Sequence, residues 1–172
     1  MGDVTLITGG ARSGKSAHAL ALAHRTSGAR RFFIATAEAL DDEMRERIAH
    51  HRAHRSPDFA TVEEPRAIAG AIATLGGRAD VVVLDCLTLW VSNLMADRSD
   101  AEILSEARAL VAAMSAAPFA TIVVTDEVGA GIVPAHQSAR RFRDLLGWTN
   151  QAVAAVAACV MLMVAGIPIR VK

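Results

Sequence analysis

Eight residues near the N-terminus, GGARSGKS at 9–16, have the types and spacing to hold a polyphosphate. They fit the pattern G-x-x-x-x-G-K-[ST] and lie between an apolar run, VTLIT at 4–8, and a stretch with helical character. Gly9 and Gly14 let the backbone curl so that successive N–H groups, across Gly10, Ala11, Arg12 and Ser13, point inward at phosphate oxygens. The N-terminus of the following helix adds partial positive charge. Lys15 can reach the β- and γ-phosphates, and the Ser16 hydroxyl can ligate Mg²⁺. Such a loop works with an acid at the end of another strand, which holds the metal directly or through water. VVVLD at 81–85 supplies Asp85, and TIVVTDE at 121–127 supplies Asp126 and Glu127. Asp85 ends the longer uninterrupted apolar run and is the first choice. The motif specifies a nucleotide without specifying a reaction.

A second group of residues asks for a different chemistry. DDEMRERIAHHRAHR at 41–55 carries three histidines, which phosphate gripping does not require. On a helix His50 and His54 share a face, as do His51 and Arg55. Three readings stand side by side. A zinc site would want a further ligand at a motif spacing, which the sequence does not supply. A polar helix face can simply be solvated. Neutral imidazole, with an unperturbed pKa near ~6.5, can also attack phosphorus at neutral pH and then pass the captured group to a second substrate. Arg52 and Arg55 would neutralise the charge developing on that phosphate.

These side chains need strands and helices to hold them. VTLIT (4–8), FFIAT (32–36), VVVLD (81–85), TIVVT (121–125) and CVMLMV (159–164) are short, β-branched and near-continuously apolar, as strands buried on both faces are. Helices are expected near 15–26, 40–54, 66–75, 101–115 and 137–156, with loops at 55–59 and 74–80. Strand–helix alternation predicts an α/β fold, a mostly parallel sheet with helices on both faces. The 172 residues fit one domain, 1–172, with a substantial core.

Composition narrows the partners. Lys plus Arg and Asp plus Glu are 18 each, and this neutrality argues against a general nucleic-acid binder. Cys86 and Cys159 each sit in an apolar run, which suits buried thiols in a reducing compartment. The N-terminus shows no secretory pattern. Leu145 to Ile169 lacks charge and is long enough to span a bilayer, but Gly147, Asn150, Gln151, Gly166 and Pro168 interrupt it. No stable membrane insertion is expected, and the expected compartment is the cytoplasm.

TGGARSGKS, IATAEALDDEMRERIAHHRAHR, LDCLTLWVSNL and TDEVGAGIVP, in this order, resemble the bifunctional adenosylcobinamide kinase / adenosylcobinamide-phosphate guanylyltransferase family from Val4 to Lys172. The resemblance implies a P-loop core of RecA-like type, assembled as a homotrimer. It implies phosphorylation of adenosylcobinamide by ATP or GTP with Mg²⁺. GMP transfer from GTP to the new phosphate would follow, through a guanylylated histidine, in coenzyme B12 assembly. The position of that histidine falls on His51. Nucleotide contacts fall on Gly9 to Ser16, on Ile34, Ala35 and Thr36, on Arg52, Ala53, His54 and Arg55, and on Glu63 and Asp85. A carboxylate such as Glu63 can accept from the N1–H and 2-amino group of guanine, which adenine does not offer. The chain departs from the family at Asp126, where asparagine is common. A plain P-loop small-molecule kinase and a nucleotide-binding regulatory protein share the loop but would form no covalent nucleotide intermediate.

Overall fold

The structure, a computed structural model, describes residues 2–39, 42, 45, 46 and 57–172. His50, His51, Arg52, Ala53, His54 and Arg55 lie outside the described residues, as does most of the helix expected over 40–54.

The five apolar runs form strands within one residue of their expected ends: β1 (Val4–Gly9), β2 (Arg31–Ala35), β4 (Val81–Asp85), β5 (Ala120–Val124) and β6 (Cys159–Val164). Two further strands, β3 (Phe59–Glu63) and β7 (Ile167–Arg170), extend the sheet at its two edges. Strand order is β3-β2-β4-β5-β1-β6-β7, parallel throughout except for the antiparallel β6–β7 pair. The expectation of a loop over 55–59 is therefore corrected at Phe59, which opens β3. Neither edge strand is a continuous apolar run. In β3 only Phe59 is fully buried, and all four residues of β7 are exposed.

The helices are α1 (Lys15–Arg25), α2 (Ile68–Thr74), α3 (Leu87–Leu94), α4 (Asp100–Ala116) and α5 (Gln137–Val156). Sequence pattern does not mark α3, which follows β4 after a single residue. Successive side chains of a strand point to opposite faces, and β4 shows the consequence. Val82 and Leu84 join the core beneath α2 to α5 with Ile72, Trp90, Leu110 and Leu145. Val81 and Val83 face the other layer, with Ala19 and Ala23 of α1. Small residues on α1 let it lie close to the sheet, so the phosphate loop at its start is held tightly against the strand ends. Ser99 caps α4 in a reciprocal capping box with Glu102, whose carboxyl the Ser99 hydroxyl holds below its usual range.

The uncharged stretch from Leu145 to Ile169 divides among the end of α5, β6 and the start of β7. Among the described residues no helix is long and apolar enough to cross a membrane. Cys86 is buried and Cys159 half-buried, both free. Burial, and then the nearby charge of Asp85, push the Cys86 thiol up to about 12.

Candidate active site

The carboxyl ends of the parallel strands form one edge, where open α/β sheets gather their ligands. Between β1 and α1 the chain turns through Gly9 to Ser16. Gly9 has φ 151°, and a Cβ there would lie 2.5 Å from the Met163 carbonyl oxygen. Gly14 has φ 92°, and its Cβ would meet Gly166 Cα at 3.3 Å. Both positions combine a positive φ with close backbone approach, so the glycines are structural requirements of the turn. Arg12, with φ 55°, completes the inward-curling backbone.

The β6–β7 hairpin braces this loop. Its two-residue turn, Ala165-Gly166, has positive φ at both positions, and Gly166 N–H donates to Ser13 O at 3.0 Å. An edge strand missed by apolar-run counting thus positions the phosphate loop. Its signal in the sequence is a small-residue pair ending in Gly between two apolar segments.

Lys15 is 8% exposed. Its ammonium donates to Gly10 O at 2.6 Å and pairs with Asp126 Oδ1 at 2.7 Å. Asp126 is itself held through its backbone. Its N–H donates to Thr88 Oγ1 at 2.8 Å, and its carbonyl accepts from Asn150 Nδ2 at 3.2 Å. The Thr125 hydroxyl donates to Asn150 Oδ1 at 2.7 Å. Glu127 N–H donates to Gly9 O at 3.1 Å, which ties the β5 end directly to the loop. The result is a buried cation presented to the place where phosphate charge would sit, with a counter-charge beside it.

Asp85 ends β4 and is in register with Ala35 of β2 and Val124 of β5. With strand spacing of about 4.8 Å, β4 lies about 10 Å from β1 across β5. The Ser16 hydroxyl and the Asp85 carboxylate are hard oxygen donors of the kind Mg²⁺ takes while keeping several waters. By donor type these two fit the metal, while among the described residues no group of three or more His, Cys, Asp or Glu side chains is placed to hold one.

Ile34 and Thr36 are completely buried and Ala35 is 7% exposed. Ile34 belongs to the core. The Thr36 hydroxyl donates to Cys86 O at 2.7 Å and accepts from Cys86 N–H at 2.8 Å, while Asn93 Nδ2 donates to Thr36 O at 2.7 Å. Thr36 N–H donates to Asp85 O at 3.2 Å. These bonds join β2 to β4 and α3 and so fix the strand ends. Glu63 closes β3, exposed and in register with Ala35. Its neighbour Glu64 is engaged otherwise: its Oε1 accepts from Arg66 N–H at 2.9 Å and Ala67 N–H at 2.7 Å. Glu63 is the residue at which β3 reaches the carboxyl edge of the sheet. Asn150 and Thr88, which position Asp126, are not singled out as site residues by sequence reading.

A model of the cobinamide kinase / cobinamide phosphate guanyltransferase family matches residues 5–171. The chain belongs to this family. The bifunctional adenosylcobalamin biosynthesis protein CobU of Escherichia coli (strain K12) is 41% identical over 180 residues, covering 97% of this chain and 98% of its own length. The bifunctional adenosylcobalamin biosynthesis protein CobP of Pseudomonas aeruginosa (strain PAO1) is 41% identical over 167 residues, covering 97% and 96%. Among solved structures, an ATPase domain superposes with a TM-score of 0.54 at 15% identity, over 93% of this chain and 68% of that one. The RadB recombinase superposes at 0.52 and 16% identity, over 93% and 73%. These two establish the RecA-like P-loop fold. Family membership makes the chain a transferase of cobalamin biosynthesis, a cobinamide kinase and cobinamide phosphate guanylyltransferase.

Proposed function

We propose that one nucleotide-binding domain, residues 1–172, performs both steps in sequence at the carboxyl edge of its sheet. In the first, the hydroxyl oxygen of adenosylcobinamide attacks the γ-phosphorus of ATP or GTP. A P–O bond forms to the acceptor, the bond to the β-phosphate oxygen breaks, and the hydroxyl proton is released. Gly9 to Ser16 hold the phosphates, and Lys15 faces the charge that develops between them. Mg²⁺ held by Ser16 and Asp85 would neutralise phosphate charge.

In the second step an imidazole nitrogen of His51 attacks the α-phosphorus of GTP and pyrophosphate leaves. The phosphate oxygen of adenosylcobinamide phosphate then attacks the guanylyl phosphorus, the P–N bond breaks, and adenosylcobinamide-GDP departs with the histidine restored. Arg52 and Arg55 neutralise phosphate charge during these exchanges, with Ala53 and His54 between them. Glu63 selects guanine by accepting from its N1–H and 2-amino group. Strand order separates Glu63 from the phosphate loop by four strand spacings, about 19 Å between backbones. Lys15 and Glu63 thus mark the two sides of that gap. The enzyme works as a cytoplasmic homotrimer on this reading.

The observation that carries the kinase half is the buried Lys15 ammonium at the mouth of the glycine loop, in a chain that matches its family almost end to end. The deciding experiment is incubation with α-labelled GTP and Mg²⁺, then denaturation. An acid-labile, base-stable label on the protein is expected, as for a phosphoramidate on histidine. Absence of any protein-bound label overturns the guanylylated-histidine mechanism.

A further inference from the structure

Three arginines follow one another closely on α5, and two of them are hydrogen-bonded to other segments. Arg140 Nη1 donates to Pro134 O at 2.9 Å and Ala135 O at 2.7 Å. Arg141 donates to Asp100 Oδ1 at 2.6 Å and Arg98 O at 2.7 Å. Arg143 differs. Its side chain is only 23% exposed, yet among the described residues it makes no hydrogen bond. Its ion contact is a loose one, Nε to Oδ1 of adjacent Asp144 at 3.8 Å. A partly buried guanidinium whose one ion contact among the described residues is this loose one keeps donors to offer an anion.

The helix sets where that anion would be. After α5 the chain passes to the foot of the sheet, where Ala158 N–H donates to Val4 O at the start of β1. The helix therefore runs antiparallel to the strands, and its earlier residues rise beyond their carboxyl ends. Asn150 marks the level of the site, through its bonds to Thr125 and Asp126. Arg143 precedes it by seven residues, which is about 20° from the same direction and about 10 Å further out along the axis. Helical side chains lean towards the N-terminus, so the guanidinium lies still further from the strand ends. By this helix geometry Arg143 stands above the strand ends on the face from which Asn150 reaches Asp126, the partner of Lys15.

We propose that Arg143 binds the phosphate ester of adenosylcobinamide phosphate, holding the newly transferred phosphoryl group on the acceptor side of the site. The assignment rests on the two-step reading above for the identity of the ester. A planar guanidinium can engage two phosphate oxygens at once, and the doubly charged ester would gain more from it than the uncharged hydroxyl of unphosphorylated adenosylcobinamide.

The test is direct titration of full-length wild type, Arg143→Ala, Arg143→Gln and Arg143→Lys with adenosylcobinamide phosphate, adenosylcobinamide and MgGTP. Loss of a hydrogen-bonded charge contact predicts about 10- to 100-fold weaker binding of the ester in Arg143→Ala and Arg143→Gln. Arg143→Lys should recover part of it, and binding of unphosphorylated adenosylcobinamide and of MgGTP should change less than about twofold. Unchanged ester affinity overturns the assignment. So does equal weakening of both corrinoids, which marks a structural role, or selective weakening of MgGTP, which puts Arg143 in the nucleotide site. Ester binding that behaves as expected in a wild-type protein forming no covalent label would sink the guanylylated-histidine step and leave Arg143 standing.

Discussion

The two ends of the ligand edge are built differently. At the carboxyl ends of β1 and β5 the lysine, the acid beside it and the loop backbone are tied to other elements. Lys15 bonds to Gly10 and Asp126, Asp126 to Thr88 and Asn150, and Ser13 to the β6–β7 turn. At β3 the sheet ends in an exposed edge strand whose last residue, Glu63, follows three partly or fully exposed residues. The first arrangement suits chemistry that repeats on every nucleotide triphosphate, since fixed dipoles need no reorganisation when charge moves. The second suits selection, where one carboxylate can distinguish bases at small cost to the fold.

The sharpest way to break this comparison is to separate the two reactions. His51→Asn should abolish covalent guanylylation by on the order of 10⁴-fold or more, the scale on which removing a nucleophile acts. Phosphorylation of adenosylcobinamide should persist, because it passes through no protein-bound intermediate. Lys15→Ala should cost phosphorylation about 10²- to 10³-fold. Paired assays of retained GMP label and of phosphate on the corrinoid read both. Retained label in His51→Asn would move the nucleophile to another residue, and near-normal phosphorylation in Lys15→Ala would remove the loop from the kinase step.

Glu63→Gln tests the selective end. Replacing an acceptor by a group that sets a donor against guanine's donors should weaken GTP about tenfold and narrow its advantage over ATP. Equal affinities before and after, measured by calorimetry, would hand base selection to other residues.

Asp126→Asn probes the fixed end more gently. The carboxylate occupies the Lys15 charge that incoming phosphates need, and only 28% of its side chain is exposed. Freeing the ammonium should tighten metal-free triphosphate binding by about three- to tenfold, or about 0.7–1.4 kcal/mol, with the gain shrinking in high salt. Weaker binding would instead show that Asp126 assists the site by holding Lys15 in place.

The smallest effect belongs at the opposite edge of the sheet. Asp80 pairs with Arg30 at 2.5 Å and also accepts from Ala29 and Arg30 N–H groups. The Arg30 guanidinium, hydrogen-bonded to it, lowers its carboxyl to about 2. The unfolded chain, with an Asp near ~3.9, takes up the proton first as pH falls. The pair's contribution is therefore complete above about pH 4 and is lost on descent towards about pH 2. Asp80→Asn should flatten the acid-unfolding profile in that window and leave both catalytic steps unchanged at neutral pH. An unaltered profile would show that the pair contributes nothing to folding.

The phosphate loop was legible because its chemistry is local. Nine consecutive residues from Thr8 to Ser16 contain the turn glycines, the lysine and the hydroxyl, with a strand before and a helix after. The five central strands were legible because burial on both faces leaves continuous apolar runs. Family resemblance supplied His51 and Glu63, whose types alone left several readings open. Edge strands β3 and β7 were hidden because a strand with one face or both in water needs no such run. Only tertiary structure showed that Asp126 faces Lys15 from a distant part of the chain, since pairing between β1 and β5 decides it. The same holds for Asn150, Thr88 and the Gly166 turn. Each acts through hydrogen bonds to a distant segment, and no local pattern of residues encodes a bond whose partner is chosen by how the strands are ordered.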